Sequence, residues 1–289
     1  MLRLAVTTRE ATFERLCDPL SERGIDVEYV RTRERTLPIT DPDGEFDGFD
    51  VGFVYPTRLM EGGAVDALLS VPWVNDREAV LTSRNKGGAL AALNRSGVPV
   101  PRTVMVSNPA DRAAVTAAVE DVSFPVVVKP NSATRGLGVA RVDDLDSLLG
   151  VVDYLDLLHD FDATGDRSYL LQEYLPGARD YRVMVIDGEY AGAVERRHPD
   201  GAAAAGRWKH NVHRGAVAEG VSLPPEQREL AERAARVLDV PYLGVDLLES
   251  SGRTVVSETN ARPTVDAPTK YEPDFYDRLA RLVRRTADG

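Results

Sequence analysis

Cysteine, lysine and long apolar runs are what this sequence has least of. The single cysteine, Cys17, excludes a disulfide framework and a cysteine-rich zinc site. No run approaches the roughly 20 apolar residues of a membrane span. The N-terminus turns polar too early for the apolar region of a signal peptide. We therefore expect a cytoplasmic protein without a membrane partner.

Lysine is scarce, and the net charge is strongly negative. Four lysines stand beside 31 arginines, and 46 acidic residues against 35 basic ones give a net charge of −11. A surface of this sign repels nucleic acid, and no lysine-rich run offers a basic patch, so we expect no nucleic-acid partner. Adaptation to high internal salt and a GC-rich codon usage explain the composition equally well. Since lysine is otherwise avoided, each one is a candidate for a specific role: Lys86, Lys129, Lys209 and Lys270.

The 289 residues, 43% of them hydrophobic, are enough for two or three packed domains. Through residue 76 the pattern alternates between strand and helix, which predicts a small parallel α/β domain. This region has no G-x-G-x-x-G turn, so a dinucleotide site is not expected there. The predicted elements are strands at 2–7, 25–30 and 51–54 and helices at 13–23 and 64–69.

The rest of the chain mixes helices and strands without an internal repeat, which predicts an α+β arrangement. An acidic linker separates the middle of the chain from two hairpins in the last third. The predicted helices are 83–95, 109–119, 145–158, 225–238 and 275–285, and the predicted strands before the hairpins are 103–106, 124–129, 139–142 and 169–173.

A buried strand that ends in a lysine precedes a small, flexible loop. The strand is apolar up to Lys129, and burying this cation is costly without an anionic partner. Ser132, Gly136 and Gly138 allow backbone N–H groups of the loop to approach a phosphate. A lysine beside such a loop is a phosphate-binding arrangement, although the spacing is not that of a P-loop. An ordinary β-turn with an edge lysine is the alternative.

The first hairpin turns at an Asp-Gly pair, residues 187–188, which is typical of a two-residue type I′ turn. Uninterrupted pairing from this turn places Arg182 opposite Ala193 and Asp180 opposite Glu195. Since side chains alternate along a strand, one face is apolar and the other is charged. Both a site wall and a solvated face with cross-strand salt bridges fit this pattern. The predicted charged face consists of Asp180, Arg182, Glu195 and Arg197.

The second hairpin carries three oxygen-bearing side chains, Asp246 on its first strand and Glu258 and Asn260 on its second. Glu258 and Asn260 share a face, and Asp246 joins them only if the loop has an odd length. A three-residue loop at 250–252 with glycine in the left-handed position is favoured, and it pairs Asp246 with Val256. Asp, Glu and Asn on a rigid sheet suit Mg²⁺, so this hairpin predicts a metal site.

The order of these features resembles the ATP-grasp superfamily, and most closely its RimK-like carboxylate–amine ligases. The resemblance covers nearly the whole chain and is clearest from Asn75 to Asn260. Each motif alone is weak, whereas their order along the chain is specific. The motifs are Ser83-Arg-Asn-Lys86 with Gly97-Val-Pro-Val-Pro-Arg102, Val128-Lys129, Gln172-Glu173-Tyr174, Asp180-x-Arg182, Glu195-Arg196-Arg197, Asn211-Val-His-Arg214-Gly215, Gly244-Val-Asp246 and Glu258-Thr-Asn260.

The resemblance implies an ATP-grasp fold of the α/β (α+β) class. A small N-terminal parallel α/β domain at 1–82 would precede two ATP-clamping α+β subdomains at 83–171 and 172–289. It also implies ATP and Mg²⁺ (or Mn²⁺) as cofactors, with Asp246, Glu258 and Asn260 holding the metal. The implied nucleotide contacts are Lys86 and Lys129 at the phosphates, Ser132, Arg135, Gly136 and Gly138 in a mobile flap, backbone groups of Glu173, Tyr174 and Leu175 at the adenine, Asp180 at the ribose, and Lys209, His210 and Asn211.

The family's chemistry implies the reaction. ATP phosphorylates a carboxylate, an amine attacks the acyl phosphate, and an amide, ADP and phosphate are released. We assign the transferred phosphoryl group to Arg214, whose guanidinium can bind it bidentately, and further catalytic roles to Arg182 and Arg197. A nucleotide-binding regulatory protein that kept the fold and lost turnover is the alternative, and D-alanine–D-alanine type dipeptide ligation or phosphotransfer is a third reading.

The loop after the metal asparagine departs from the family. RimK-like ligases usually continue with a small residue, proline and glycine, whereas Asn260 is followed here by Ala-Arg-Pro-Thr. Arg262 and Lys270 would suit an acidic substrate, and an ion pair with Asp266 is the equal alternative. The amino-acid donor, glutamate or another, and the amine or carboxylate acceptor are therefore not carried over from the family. The family often forms dimers or tetramers, so the resemblance admits a homodimer or a homotetramer.

Overall fold

A computed structural model describes residues 1–8, 10–40, 42, 44–134, 136–158, 166–197 and 217–289. None of the helices in this part of the chain combines the length and the apolar character that crossing a bilayer requires.

The N-terminal region contains a three-stranded parallel sheet with the strand order β2-β1-β3, which confirms the predicted β-α-β pattern. Its core joins Leu4, Val6, Val27, Val51 and Phe53, all buried. The carboxyl ends of the three strands lie at one edge of the sheet because the strands are parallel. The elements are β1 (Leu2–Val6), α1 (Glu10–Ser21), β2 (Ile25–Tyr29), β3 (Val51–Phe53) and α2 (Leu59–Leu69).

The helix predicted at 83–95 is wrong, because two helices stand in its place: α3 (Arg77–Arg84) and α4 (Lys86–Arg95). Asn85 separates them, and its side chain caps α4 by accepting a hydrogen bond from the Gly88 N–H at 3.0 Å. Asparagine competes with helical hydrogen bonds in this way, which favours a break at this position. The break places Lys86 at the first turn of α4, where it is buried.

The central sheet is antiparallel with the strand order β4-β7-β5-β6. One face packs on two helices through Val126, Val128, Val119 and Leu148, so Lys129 projects from the other face. The boundary predicted between residues 171 and 172 falls inside β7, and all of β7 belongs to this sheet. The elements are β4 (Thr103–Ser107), α5 (Arg112–Glu120), β5 (Val126–Pro130), β6 (Ala140–Val142), α6 (Leu145–Leu158) and β7 (Ser168–Glu173).

The C-terminal sheet has five strands in the order β10-β9-β8-β11-β12, and its two predicted hairpins are present. Sequence reasoning missed β10 at the edge of the sheet. One face packs on α7 through residues such as Val183, Val245 and Ala234. The elements are β8 (Arg179–Ile186), β9 (Glu189–Arg197), β10 (Val217–Val221), α7 (Pro225–Leu238), β11 (Tyr242–Ser250), β12 (Arg253–Asn260), a 3₁₀ turn (Pro268–Lys270) and α8 (Phe275–Asp288).

Candidate functional site

A cavity of about 470 Å³ lies between the carboxyl edge of the N-terminal sheet, the α3–α4 junction and the face of the C-terminal sheet that α7 leaves free. Although the protein carries a net charge of −11, cations outnumber acids among the described residues that line this cavity. Such a cavity attracts anionic ligands. The lining cations are Arg15, Arg33, Arg58, Arg84, Lys86, Arg182, Arg196 and Arg262, and the lining acids are Asp246, Glu258 and Asp266.

The β11–β12 hairpin builds the acidic side of the cavity. Its turn has two residues, not the predicted three, since Ser250 pairs with Arg253 and residues 251 and 252 both have positive φ. That turn alone would place Asp246 opposite Ser257. A bulge between Asp246 and Leu247 shifts the pairing by one further residue, so Asp246 stands opposite Glu258 and on the same face of the sheet. The predicted common face is therefore confirmed, although the loop length and the Asp246–Val256 pairing are wrong.

Cations of the protein itself neutralise the two carboxylates. Asp246 makes ion pairs with Arg182 and Arg196. Burial raises the pKa of the Asp246 carboxyl, but Arg182 and then Arg196 outweigh burial and hold it below its ordinary value. Glu258 lies 3.5 Å from the Lys86 Nζ. Both carboxylates are thus charged groups whose counterions stand in the same cavity.

The donor set of this hairpin fits a hard divalent cation. Asp246, Glu258 and Asn260 all line the cavity and offer side-chain oxygens. The Asn260 Oδ1 accepts a hydrogen bond from the Arg262 N–H at 2.8 Å, which fixes the orientation of its amide. Within the described ranges no three His, Cys, Asp or Glu side chains cluster as metal ligands, so the asparagine oxygen is needed to complete the set.

Two lysines approach these acids from the other side. The Lys129 Nζ donates to Gln172 Oε1 at 3.0 Å and to the Ser257 carbonyl at 3.3 Å, and so links the central sheet to β12. Burial lowers the pKa of Lys129 to about 8, although Glu258 opposes the shift. Lys86 donates to the carbonyls of Asn131 and Ala133 and thereby holds the start of the predicted phosphate loop.

The predicted phosphate loop is anchored at both ends. Asn131 accepts a hydrogen bond from the Gly87 N–H at 2.8 Å and donates to Asp166 at 3.4 Å. Gly138 has a φ of +70°, and a Cβ there would come within 2.7 Å of the Pro130 ring, so only glycine fits. Gly136 lines the cavity, and Ser132 is buried near Asp166. Thr134 and Gly136 thus bring the described part of this loop to the wall of the cavity.

A bulge changes the register of the β8–β9 hairpin. Ile186 pairs with Glu189 as expected from the turn. From Gly192 onward, however, the pairing of β9 is shifted by one residue. Gly192 has a φ of +135°, and a Cβ there would come within 2.7 Å of the Tyr271 Cα, so only glycine fits where the chain crosses at Tyr271. A glycine inside a strand is the sequence signal that could have indicated this bulge.

This shift in pairing changes which residues lie on the charged face. Asp180 pairs with Arg196 rather than with Glu195, and Arg182 pairs with Val194 rather than with Ala193. Arg196 lies between the carboxylates of Asp180 and Asp246. Glu195 and Arg197 project from the opposite face, where Arg197 pairs with Glu195 and Glu219. The prediction that Arg197 lies on the cavity face is therefore wrong, and Arg196 takes that position, whereas the catalytic role of Arg197 stays a prediction.

The side chains of Glu173, Tyr174 and Asp180, at the predicted adenine and ribose contacts, bind other protein groups. The Glu173 carboxylate binds Arg253 at 2.7 Å and accepts from the Arg102 N–H at 2.8 Å. Tyr174 lies under the Arg141 guanidinium, 4.7 Å from the ring centroid. Asp180 is buried against Arg196. The nucleotide roles of Glu173, Tyr174, Leu175 and Asp180 stay predictions.

The two candidate substrate residues differ. Arg262 lines the cavity and donates to the carbonyls of Val54 and Tyr55. Lys270 binds Asp266 at 2.8 Å and is absent from the described cavity lining, so the alternative ion pair is the observed arrangement. Five predicted residues lie outside the described part of the chain: Arg135, Lys209, His210, Asn211 and Arg214.

Comparison with known proteins agrees with this geometry. Residues 83–275 match the sequence model of the RimK-like ATP-grasp domain. A probable alpha-L-glutamate ligase of Thioalkalivibrio sulfidiphilus is 32% identical over 99% of this chain and 96% of its own length. The ribosomal protein bS6–L-glutamate ligase of Shigella boydii is 30% identical over 74% of this chain and 68% of that protein.

Solved structures with the same architecture cover the whole chain. D-cycloserine synthetase DcsG superposes with a TM-score of 0.76 at 20% identity, over 99% of this chain and 100% of that one. D-alanine–D-alanine ligase from Bacillus anthracis, complexed with ATP, gives a TM-score of 0.72 at 17% identity, over 99% and 97%. At these identities the likeness shows the fold alone, and it confirms the predicted ATP-grasp fold.

Proposed function

Because the chain belongs to the RimK-like ATP-grasp family of ATP-dependent ligases, we propose that it is a carboxylate–amine ligase that forms an amide bond through an acyl phosphate. The group added is glutamate or another amino acid, and the acceptor is a small molecule, a peptide or a protein. The printed names of its relatives as glutamate ligases support glutamate. Proteins of this class need ATP, and we propose Mg²⁺ or Mn²⁺ as the metal.

One observation carries this proposal: Lys86 meets the carboxylates of Asp246 and Glu258 in one cavity, and Lys129 lies buried behind β12. Lys86 approaches Glu258, and Lys129 is tied to the carbonyl of the adjacent Ser257. Lysine cations suit the phosphates of ATP, and the oxygens of Asp246 and Glu258 suit a divalent cation bound to the same phosphates. Lys86 now pairs with Glu258, so the phosphates of ATP and a divalent cation bound together would replace that ion pair.

The residues of this cavity support each step of the reaction. A carboxylate oxygen of one substrate attacks the γ-phosphorus of ATP, and the bond to the ADP oxygen breaks. Lys86 and Lys129 would contact the phosphates, and a divalent cation held by Asp246, Glu258 and Asn260 would supply positive charge against the charge that develops there. The lone pair of the amine attacks the acyl carbon, phosphate leaves, and the amine loses a proton. Closure of the loop at 132–138 would exclude water, which otherwise hydrolyses the acyl phosphate.

Arg182 and Arg196 are the cavity arginines best placed for the transferred group. Both contact Asp246, so both reach the metal face of the sheet. A guanidinium binds phosphoryl oxygens bidentately and stays charged at any pH of interest. Arg214, the residue predicted for this role, remains a candidate beside them.

The test is ADP release across a panel of amino acids and glutamate-tailed acceptors, with Mg²⁺, in dilute buffer and in molar KCl. The wild type is compared with Lys129→Ala, Glu258→Ala and the control Arg112→Gln, an exposed residue on α5. Acceptor-dependent ADP release that both site variants lose, with a product heavier by one amino-acid residue, supports the ligase. ATP binding without such turnover would favour the regulatory alternative.

A further inference from the structure

The carboxyl edge of the N-terminal sheet opens into the cavity. Thr7 follows β1, Thr32 follows β2 and Thr57 follows β3, and all three line the cavity. Ligands of parallel α/β sheets bind outside the carboxyl ends of the strands. Lys86 lies on α4, and Lys129 and the metal residues lie on the other two sheets, so the nucleotide chemistry proposed above does not use this edge.

The chain after β3 is strained where it reaches the cavity. Val54 has a φ of +60°, which is unfavourable for a β-branched residue. Its carbonyl accepts hydrogen bonds from the Thr7 hydroxyl and from Arg262. Such strain persists only where the surroundings impose it, and it is concentrated at functional sites.

Arg84 differs from the other cavity cations. It ends α3, and its Nη2 donates to the Thr57 carbonyl at 2.9 Å. Among the described residues no carboxylate lies within 4 Å of it, and burial lowers its pKa. By contrast, Arg58 pairs with Glu61, Arg15 with Asp266, and Lys86, Arg182 and Arg196 with the metal-site acids. Arg33 also has no acidic partner, but it is exposed to water.

Two guanidiniums are thus tied to one short segment. Residues 54–57 hold Arg262 through the carbonyls of Val54 and Tyr55 and hold Arg84 through the carbonyl of Thr57. The half-buried guanidinium of Arg84 has no carboxylate partner among the described residues, and burying such a charge costs free energy. An anionic ligand would remove that cost. A carboxylate matches the planar fork of arginine bidentately.

We propose that Arg84, with Arg262 beside it on residues 54–57, binds a carboxylate of a substrate that does not itself react. The N-terminal sheet and α3 then determine specificity, because a substrate without a second carboxylate leaves Arg84 uncompensated. This inference rests on the proposed ligase function, since the carboxylate belongs either to the amino acid that is added or to the acceptor.

The test compares Arg84→Gln and Arg84→Lys with Arg77→Gln, a control in the first turn of the same helix whose side chain pairs with Glu78 in solvent. We expect Arg84→Gln to raise the KM for one carboxylate substrate by roughly 30-fold or more, with kcat and the KM for ATP within about twofold. Arg84→Lys recovers part of the loss. The substrate whose KM rises, the amino acid or the acceptor, is the one that carries the bound carboxylate.

Three kinetic results overturn the inference: a rise in the KM for ATP, no change beyond about twofold in any KM, or the same loss in Arg77→Gln. A binding assay stands independently of turnover. By calorimetry, the wild type should bind glutarate and not the uncharged glutaramide, and Arg84→Gln should bind glutarate at least about tenfold more weakly. Equal binding by the two proteins, or no glutarate binding by the wild type, overturns the subsite even if ligase activity is never found.

Discussion

The two faces of the β8–β9 hairpin carry similar arginine–carboxylate clusters in different surroundings. The side chains of Arg196 and Asp246 on the cavity face are 13% and 9% exposed, whereas Arg179 and Arg197 on the other face are 55% and 54% exposed. We name these groups the cavity cluster, formed by Asp180, Arg182, Arg196 and Asp246, and the outer cluster, formed by Arg179, Glu195 and Arg197.

Asp180 in the cavity cluster and Glu195 in the outer cluster have pKa values shifted in opposite directions, although their ion pairs with arginine lower the pKa in both. The pKa of Asp246, the other cavity carboxyl, is lowered like that of Glu195. Burial raises the pKa of the Asp180 carboxyl, although Arg196 opposes the shift. The hydrogen bond from Arg179 lowers the pKa of Glu195 to about 2, although burial opposes it. In the outer cluster water still solvates the arginines, so pairing dominates. In the cavity cluster two acids compete for two buried cations, and an incoming ligand can relieve that competition.

The largest expected difference between the faces is in turnover. Asp246→Asn should lower kcat for ADP release by about 100-fold or more, because it removes a charged oxygen from the proposed metal site. Glu195→Gln, the matched change on the outer face, should leave kcat within about threefold. Initial rates at saturating ATP measure both, with circular dichroism to establish folding. Similar losses of kcat in the two variants would contradict the expectation that only the cavity face takes part in catalysis.

A second pair of variants tests the register of the β8–β9 hairpin directly. Arg196→Gln should cost roughly 10- to 100-fold in kcat/KM, since it leaves Asp180 and Asp246 buried with one fewer cation. Arg197→Gln should cost clearly less, because the side chain is half in solvent and Glu195 retains Arg179. The ratio of the two kcat/KM values is the measurement. If Arg197→Gln were the more damaging change, the uninterrupted register expected from the sequence would be favoured.

Both hairpins show which part of the site a sequence can predict. Motif order and the two-residue period identified the hairpins, since these depend on local patterns. The shared face of Asp246 and Glu258 was predicted from a loop of the wrong length, and a bulge at Asp246 and Leu247 places both residues on it. Register depends on bulges, and at the bulge in β9 Gly192 contacts Tyr271, a residue far along the chain. Local pattern cannot supply such a contact. The same limit explains why Arg84 was quoted only within a motif: its missing counterion is visible only in the folded cavity.

Titration of Lys129 provides a smaller, pH-dependent contrast. The outer arginines have pKa values raised by Glu195, whereas burial lowers the pKa of Lys129 to about 8. The charged form that binds phosphate therefore decreases as pH rises through about 8, and the KM for ATP should increase about tenfold between pH 7 and pH 9. In Lys129→Arg, whose guanidinium stays charged, this increase should be absent. An equal increase in both proteins would assign the titration to another group.

Stability against acid gives the smallest effect and belongs to the outer cluster. The pKa of Glu195 lies at about 2 against an ordinary value of 4.5, so its pairing stabilises the fold above about pH 4.5 and this contribution is lost as pH falls towards 2. Glu195→Gln should lower the free energy of unfolding by about 1 kcal/mol at pH 7, a modest value because its arginine partners are half in solvent. Urea titrations at pH 7 and pH 3 measure the difference, which should shrink at the lower pH. An equal loss of the free energy of unfolding at both pH values would mean that Glu195 stabilises the sheet by packing rather than by charge. The two faces would then differ only in how deeply their side chains are buried.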